Sequence, residues 1–225
     1  EDVVNYLNDR REEVSNRTLF DDTQVIKQFL DDHGVDWVDS IKNPKPSKNK
    51  PKIMNREDVQ KFLERMEKAD TEDKYIFRAK TAVILSDVSG MRPYEIYRLD
   101  WKDVSIDERI INLPAEKTKT KEERIVVFND EVREHLNRLK QLFPERPFHG
   151  KSVYLVTQKL DPKPNLKLKH CRKYFSQQWD RNGGPTSVKE MLIGHFGNVD
   201  LTNYNGQLAE DLKKIHDGVG IQLLE

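Results

Sequence analysis

Residues 73–88 carry Ile76, Phe77, Ala79, Ala82, Val83, Ile84, Leu85 and Val88, in a chain that is 35% charged and only 36% apolar. Such a concentration of apolar side chains must be buried, and it predicts a helix at the core of the fold. At 225 residues the chain is long enough to enclose a sizeable core. That length fits one large domain, or one domain with part of another. No stretch approaches the ~18 apolar residues of a membrane span. No apolar signal-peptide core opens the chain. Cys171 is the single cysteine, so an internal disulfide and a cysteine zinc cluster are excluded. That usage fits a reducing cytoplasm.

Other segments arrange themselves around the apolar helix. Residues 2–15 and 19–32 read as two helices, the second with Phe20, Val25, Ile26, Phe29 and Leu30 on roughly one face and with His33-Gly34 as its stop. Residues 42–54 are a basic, proline-rich linker, where we place the domain boundary. Asn55 caps a helix over 56–69, with Asp58 completing the cap. Gly90 ends the apolar helix, and Pro93 suits the first turn of a short one. Ile110–Leu113 and Ile125–Phe128 form a β-hairpin around a lysine-rich turn. A helix follows over 130–142. Residues 144–165 read as irregular, apart from the apolar run Val153–Val156. Helices are expected over 166–181, from Pro185 to Gly194, and over 207–217. The class is mainly α with a small antiparallel sheet.

The chain is neutral overall, but its charge is uneven. Residues 1–40 hold 11 acids against 4 bases, a balance of −7, so the remainder carries +7. The stretch 42–52 contains Lys42, Lys45, Lys48, Lys50 and Lys52 without an acid. Residues 163–173 hold Lys163, Lys167, Lys169, Arg172 and Lys173, again without an acid. Either run alone reads as a solvated loop. Both are also suited to neutralising phosphates.

A second group of residues carries chemistry. Arg92 stands in Ser89-Gly90-Met91-Arg92-Pro93-Tyr94-Glu95-Ile96, and Arg172 in Lys169-His170-Cys171-Arg172. His195 follows Arg172 by 23 residues, and Tyr204 follows His195 by 9. Cleaving a phosphodiester needs a nucleophile, fixed positive charge for the transition state, a base and an acid. Arginines suit non-bridging oxygens, because they offer paired, geometrically fixed donors. A tyrosine suits attack, and neighbouring guanidinium groups favour its phenolate. A lysine on the hairpin tip suits the acid. Taken singly, each residue has an ordinary structural role: an ion pair, a packed ring, a helix cap or a solvated turn. Their occurrence together is what points to chemistry.

These motifs resemble the tyrosine recombinase family, which includes phage-type integrases. The family's T-G-L-R-x-x-E-L corresponds to Ser89–Ile96, followed by Leu99-Asp100-Trp101-Lys102-Asp103-Val104. The hairpin pattern runs Lys117-Thr118-Lys119-Thr120-Lys121-Glu122-Glu123-Arg124. The H-x-x-R motif reads Lys169-His170-Cys171-Arg172, L-G-H reads Ile193-Gly194-His195, and the last motif ends in Thr202-Asn203-Tyr204. The resemblance covers about residues 55–206 and implies a catalytic domain there. Residues 1–41 would be the C-terminal part of a helical core-binding domain that clamps DNA, and 207–225 a tail able to dock onto a neighbouring subunit.

The resemblance further implies a site-specific recombinase that cleaves and rejoins DNA through a 3′-phosphotyrosyl intermediate, with no metal, ATP or other cofactor. Arg92 and Arg172 would hold the phosphate and Tyr204 attack it. Lys119, five residues before Arg124, would protonate the leaving oxygen, with Lys117 and Lys121 as alternatives. His195 would contact the phosphate or position the nucleophile, and Glu95 would orient the site. Lys42, Lys45, Lys48, Lys50, Lys52, Lys117, Lys121, Lys167 and Lys173 are the expected DNA contacts. The expected partners are double-stranded DNA and further copies of the chain, as a homotetramer on recombining DNA and a monomer or dimer otherwise, in the cytoplasm. Lys169, at the first position of the H-x-x-R motif, would be a further catalytic residue; it departs from the family's histidine, as integrases of archaeal viruses and plasmids do. The adjacent His170 lies about 100° away around a helix and does not simply replace it. Two other readings share these motifs: a type IB topoisomerase-like relaxing enzyme, and a DNA-binding protein of the same fold without cleavage.

Overall fold

The computed structural model describes residues 2–45, 53–195 and 209–224. The chain separates into two compact units, residues 1–52 and 53–225.

The first unit is a helical hairpin. Helix α1 (Asp2–Glu13) is followed by α2 (Asn16–Asp32), which Ser15 caps by accepting the Thr18 amide at 3.2 Å. Arg10 joins the two helices through Asp22 at 3.1 Å. Leu19, Thr23, Val38 and Ile41 are buried. The expected apolar face of α2 is therefore only partly used: Val25 and Phe29 are 70% and 59% exposed. The buried face runs through Leu19 and Thr23 instead, because the turn at Val38–Ser40 brings Val38 and Ile41 in as the apolar partners of the hairpin.

The second unit is built around α4 (Asp73–Ser89), the apolar helix of the sequence. It is buried along most of its length, from Ile76 to Ser89, and packs against α6 (Asp130–Leu142), α7 (Ser152–Thr157) and α8 (Leu168–Arg181). A helix apolar on so many sides has no stable place other than an interior. Before it, α3 (Arg56–Met66) begins with the Asn55–Asp58 capping box and buries Val59, Phe62, Leu63 and Met66. Helix α8 faces α4 with Cys171, Tyr174, Phe175 and Trp179, all buried at helical spacing. The Cys171 thiol sits beside the equally buried Asp87. Burial first, and that carboxyl second, push the thiol well above its usual range, so it packs rather than reacts.

The sheet has three antiparallel strands in the order β1 (Val104–Ser105), β2 (Ile110–Leu113) and β3 (Arg124–Val127). Ile110 pairs with Val127 and Leu113 with Arg124. The hairpin matches the sequence reading, with its second strand starting one residue earlier. Strand β1 is too short to leave a periodic signal. The apolar run Val153–Val156, set apart from the irregular stretch 144–165 in the sequence, lies within the helix α7. Val153 and Val156 are three residues apart and both buried, whereas Tyr154 and Leu155 are exposed. Packing against α4 overrides the weak helix preference of its β-branched residues.

Two left-handed glycines set the ends that matter for the site. Gly90 (φ +69) closes α4 before the short α5 (Pro93–Ile96), and Gly194 (φ +67) closes α9 (Thr186–Ile193). A Cβ at Gly90 would fall 2.6 Å from Phe175 Cδ1 and 2.9 Å from Ile193 Cγ2. The last helix, α10 (Ala209–Val219), folds back onto this unit, with Leu212, His216 and Val219 buried. His216 Nε2 lies 2.9 Å from the Val88 carbonyl. The chain beyond it is held by hydrogen bonds. Arg56 and Gln60 donate to the Leu223 carbonyl, and Glu131 accepts the Leu223 and Leu224 amides, each at about 3 Å.

Gly90→Ala combines a left-handed alanine with a clash against two packed side chains, and should cost at least ~2 kcal/mol. Urea unfolding of the variant checks this; a midpoint equal to wild type would show that the α4–α5 turn relaxes freely.

Candidate active site

Glu95 lies at the centre of the site and is fully buried. It sits in the first turn of α5, at the third helical position after Arg92, and its Oε2 accepts the Arg92 backbone amide at 2.7 Å. Its other oxygen accepts from Arg92 Nη1 at 3.0 Å. From β3, Arg124 adds a two-pronged contact, Nη1 to Oε1 at 3.0 Å and Nη2 to Oε2 at 2.7 Å. Burial alone would raise the Glu95 carboxyl. The hydrogen bonds and charge of Arg124, with Arg92 behind them, outweigh burial and hold it below its ordinary value.

Arg124 is not singled out by its motif, yet it is a hub of the site. It is buried, and its Nε donates to the Leu192 carbonyl at 3.0 Å. A Cβ at Gly194 would approach its guanidinium to 3.0 Å. Arg124 therefore joins the hairpin strand, Glu95 and the end of α9. A signal is present in the sequence: Arg124, Val126 and Phe128 alternate along one face of an apolar strand, and all three are buried. An arginine on the inward register of a strand demands a buried acid.

Arg172, on α8, meets the same end of α9. Its Nη1 donates to the Gly90 carbonyl at 2.9 Å and its Nη2 to the Ile193 carbonyl at 2.7 Å. Nη2 also lies 3.0 Å from His195 Nε2. Arg92 Nη2 reaches the Gly194 carbonyl at 3.4 Å. Burial, then the charges of Arg92 and Arg124, bring the Arg172 guanidinium down to about 10, still charged at neutral pH. Three guanidinium groups thus meet at the end of α9, two of them on the buried Glu95 carboxylate, with Glu190 further out against His195 at 2.8 Å. The arrangement favours an anion with several oxygens. Among the described residues, no three histidine, cysteine or carboxylate side chains converge to hold a metal ion.

The remaining candidates are placed differently. Tyr204 lies outside the described residues, as do Lys48, Lys50 and Lys52. Lys42 and Lys45 are exposed in the first unit. Lys119 and Lys121 are exposed in the connection between β2 and β3, Lys121 with φ +61. Lys117 differs from both of these lysines. The turn Ala115–Lys117 folds it back onto Asp100 and Asp103, and its ammonium is buried between their carboxylates. Burial opposes its charge, but the two acids outweigh burial and raise it. Its ammonium is thus engaged by two carboxylates in this structure. Lys169 is exposed in the first turn of α8 and does not join the arginines. It lines a groove of about 670 Å³ with Pro93, Tyr154, Lys163, Lys167 and His170. Lys173 is half-buried on the same helix.

Residues 52–209 match the model of the phage integrase family. The chain belongs to the phage integrase family. Tyrosine recombinase XerA of Thermococcus onnurineus (strain NA1) is 23% identical to it, across 92% of this chain and 77% of that protein. Among solved structures, XerA recombinase shares 17% identity at a TM-score of 0.53, covering 98% of this chain and 83% of that one. The integrase of transposon Tn1549 shares 17% at a TM-score of 0.61, covering 91% and 80%. The integrase-family fold is the expected one, mainly helical with a small antiparallel sheet. As a member of this family the chain is a tyrosine recombinase, an enzyme of site-specific DNA recombination. No helix among the described residues is long and apolar enough to cross a membrane.

Arg124→Met leaves the Glu95 carboxylate buried with Arg92 as its one arginine, and should cost about 3–5 kcal/mol in urea unfolding. A loss below about 1 kcal/mol, the scale of an exposed pair, would remove Arg124 from its central place. The depressed Glu95 group also fixes a pH dependence. Its contribution is complete above the unfolded-chain carboxylate value and is lost as the pH falls through the lower folded value. Acid unfolding of wild type should therefore steepen in that range, and Glu95→Gln should flatten it.

Proposed function

We propose that this recombinase holds a scissile DNA phosphate between Arg92 and Arg172 and attacks it with Tyr204. The observation that carries this reading is the convergence of Arg92, Arg172 and His195 on one turn, Ile193–His195, with Glu95 and Arg124 fixing their backs. DNA as the partner is supported by the Tn1549 integrase, which was solved in complex with circular-intermediate DNA.

In this reading the phenolic oxygen bonds to phosphorus as the phosphorus–O5′ bond breaks. The bonding pair leaves with O5′, which takes a proton from Lys119, and the phenolic proton passes to a base. The product is a 3′-phosphotyrosyl link and a free 5′-hydroxyl, so bond energy is retained and rejoining is the same step reversed. The arginines stabilise the added charge on the non-bridging oxygens, the usual route by which fixed donors lower such a barrier. Lys163, Lys167 and Lys169, in the groove beside Pro93, would neutralise flanking phosphates, and Lys42, Lys45, Lys48, Lys50, Lys52, Lys121 and Lys173 would extend that contact. The first unit would act as part of the DNA clamp, and four copies would assemble on two recombining duplexes in the host cytoplasm.

A nicked suicide duplex carrying the attachment site, incubated in EDTA, should trap a denaturation-resistant protein–DNA adduct. Tyr204→Phe should abolish the adduct and leave DNA binding in place; an undiminished adduct would remove Tyr204 as nucleophile. Arg172→Ala should slow cleavage by about 10²–10³-fold, the scale of a lost transition-state donor. Relaxed circles without exchanged strands would assign a topoisomerase-like reaction instead. Affinity should fall steeply with salt, and a flat response would return the lysine runs to solvated loops.

A further inference from the structure

His195 is flanked by two side chains that each hydrogen-bond in one direction only. On one edge of the ring, Nε2 lies 3.0 Å from Arg172 Nη2. A guanidinium donates and cannot accept, so Nε2 must offer its lone pair. On the other edge, Nδ1 lies 2.8 Å from Glu190 Oε2. An ionised carboxylate accepts and cannot donate, so Nδ1 must carry the hydrogen. One form satisfies both neighbours: the neutral imidazole protonated on Nδ1. The opposite tautomer would lose both bonds, and the imidazolium would set an N–H against the guanidinium.

The backbone builds this pairing. Gly194, in the left-handed conformation, turns the chain back over α9, so that the His195 amide bonds the Glu190 carbonyl at 2.9 Å. The Gly194 amide bonds the Met191 carbonyl at 3.0 Å, completing a glycine-terminated helix end. His195 is thereby tied to Glu190 twice, through backbone and ring. The His195 side chain is 52% exposed, so the Arg172 contact alone leaves the ring free to turn.

We propose that Glu190 is a positioning residue. It fixes His195 as the Nδ1–H imidazole and presents the Nε2 lone pair beside Arg172, so that the histidine meets the reacting groups as a proton acceptor. This rests on the reading of that space as the strand-cleavage site. An incoming phosphate that takes Arg172 Nη2 releases Nε2, while Nδ1 stays bound to Glu190. The division of labour is that of a carboxylate–histidine pair in acyl-transfer enzymes: the acid sets the tautomer and the far nitrogen handles the proton.

Two-bond ¹⁵N–¹H correlation spectra of the histidine-labelled protein read the tautomer directly, with His195 assigned by its loss in His195→Asn. Wild type should show hydrogen on Nδ1. Glu190→Gln should keep it, because the amide oxygen still accepts. Glu190→Ala should move the hydrogen to Nε2, the form free histidine side chains favour. In suicide-duplex cleavage, Glu190→Ala should be slower by about tenfold or more, less than the roughly 10²–10⁴-fold that a positioned base itself contributes because the histidine remains, and Glu190→Gln should recover most of that loss. An unchanged tautomer in Glu190→Ala overturns the proposal, as does a shifted tautomer with wild-type cleavage. The spectra need no DNA, so they separate failure of this assignment from failure of the cleavage reading.

Discussion

A carboxylate buried between two arginines organises the second unit. Glu95 is inaccessible to solvent and shares its two oxygens between Arg92, three residues before it, and Arg124, on a strand far along the chain. A buried carboxylate with a missing partner is expensive, so the three residues hold one another in place. Arg124 extends the arrangement to the Leu192 carbonyl, and through it to the turn that carries His195. Hairpin, helix α5 and the end of α9 thus cannot move separately. The proposed grip on a phosphate would benefit from this stiffness, since fixed donors stabilise a transition state best when they need not reorganise.

Packing around α4 sets where these parts meet. Helix α8 lies along α4 and brings Arg172 to the Gly90 carbonyl, at the point where α4 ends. The contact requires glycine at 90, both for the left-handed turn and for the space that Phe175 and Ile193 occupy. A few residues later the same chain delivers Arg92 to Glu95. The first arginine motif therefore supplies a helix stop, an acceptor for the second arginine and one of the two arginines that hold Glu95, within a handful of residues.

Much of the fold is legible in the order of the amino acids. The apolar run of 73–88, the caps at Asn55 and Gly90 and the hairpin at 110–128 are local signals, governed by burial, backbone freedom and alternation. The arginines, histidine and tyrosine are legible because their order and spacing resemble a known family. Other features leave no such trace. Strand β1 is two residues long, and α7 hides in a β-branched run whose helix exists because Val153 and Val156 pack inward. Lys117 and Lys119 look alike in sequence. One is buried between Asp100 and Asp103, and the other is exposed. The apolar residues of α2 suggest a face through Val25 and Phe29, but the burial runs through Leu19 and Thr23.

Amino-acid order alone settles the class of fold, its central helix and the residue types able to handle a phosphodiester. Those follow from composition, periodicity and motif order, which a linear chain displays openly. Which charges face one another is settled only in the folded chain. Arg124 with Glu95, Lys117 with its two aspartates, and His195 between Arg172 and Glu190 are pairings across or around folded elements. Electrostatic partnership depends on distance and burial, and neither is defined until the chain has closed on itself.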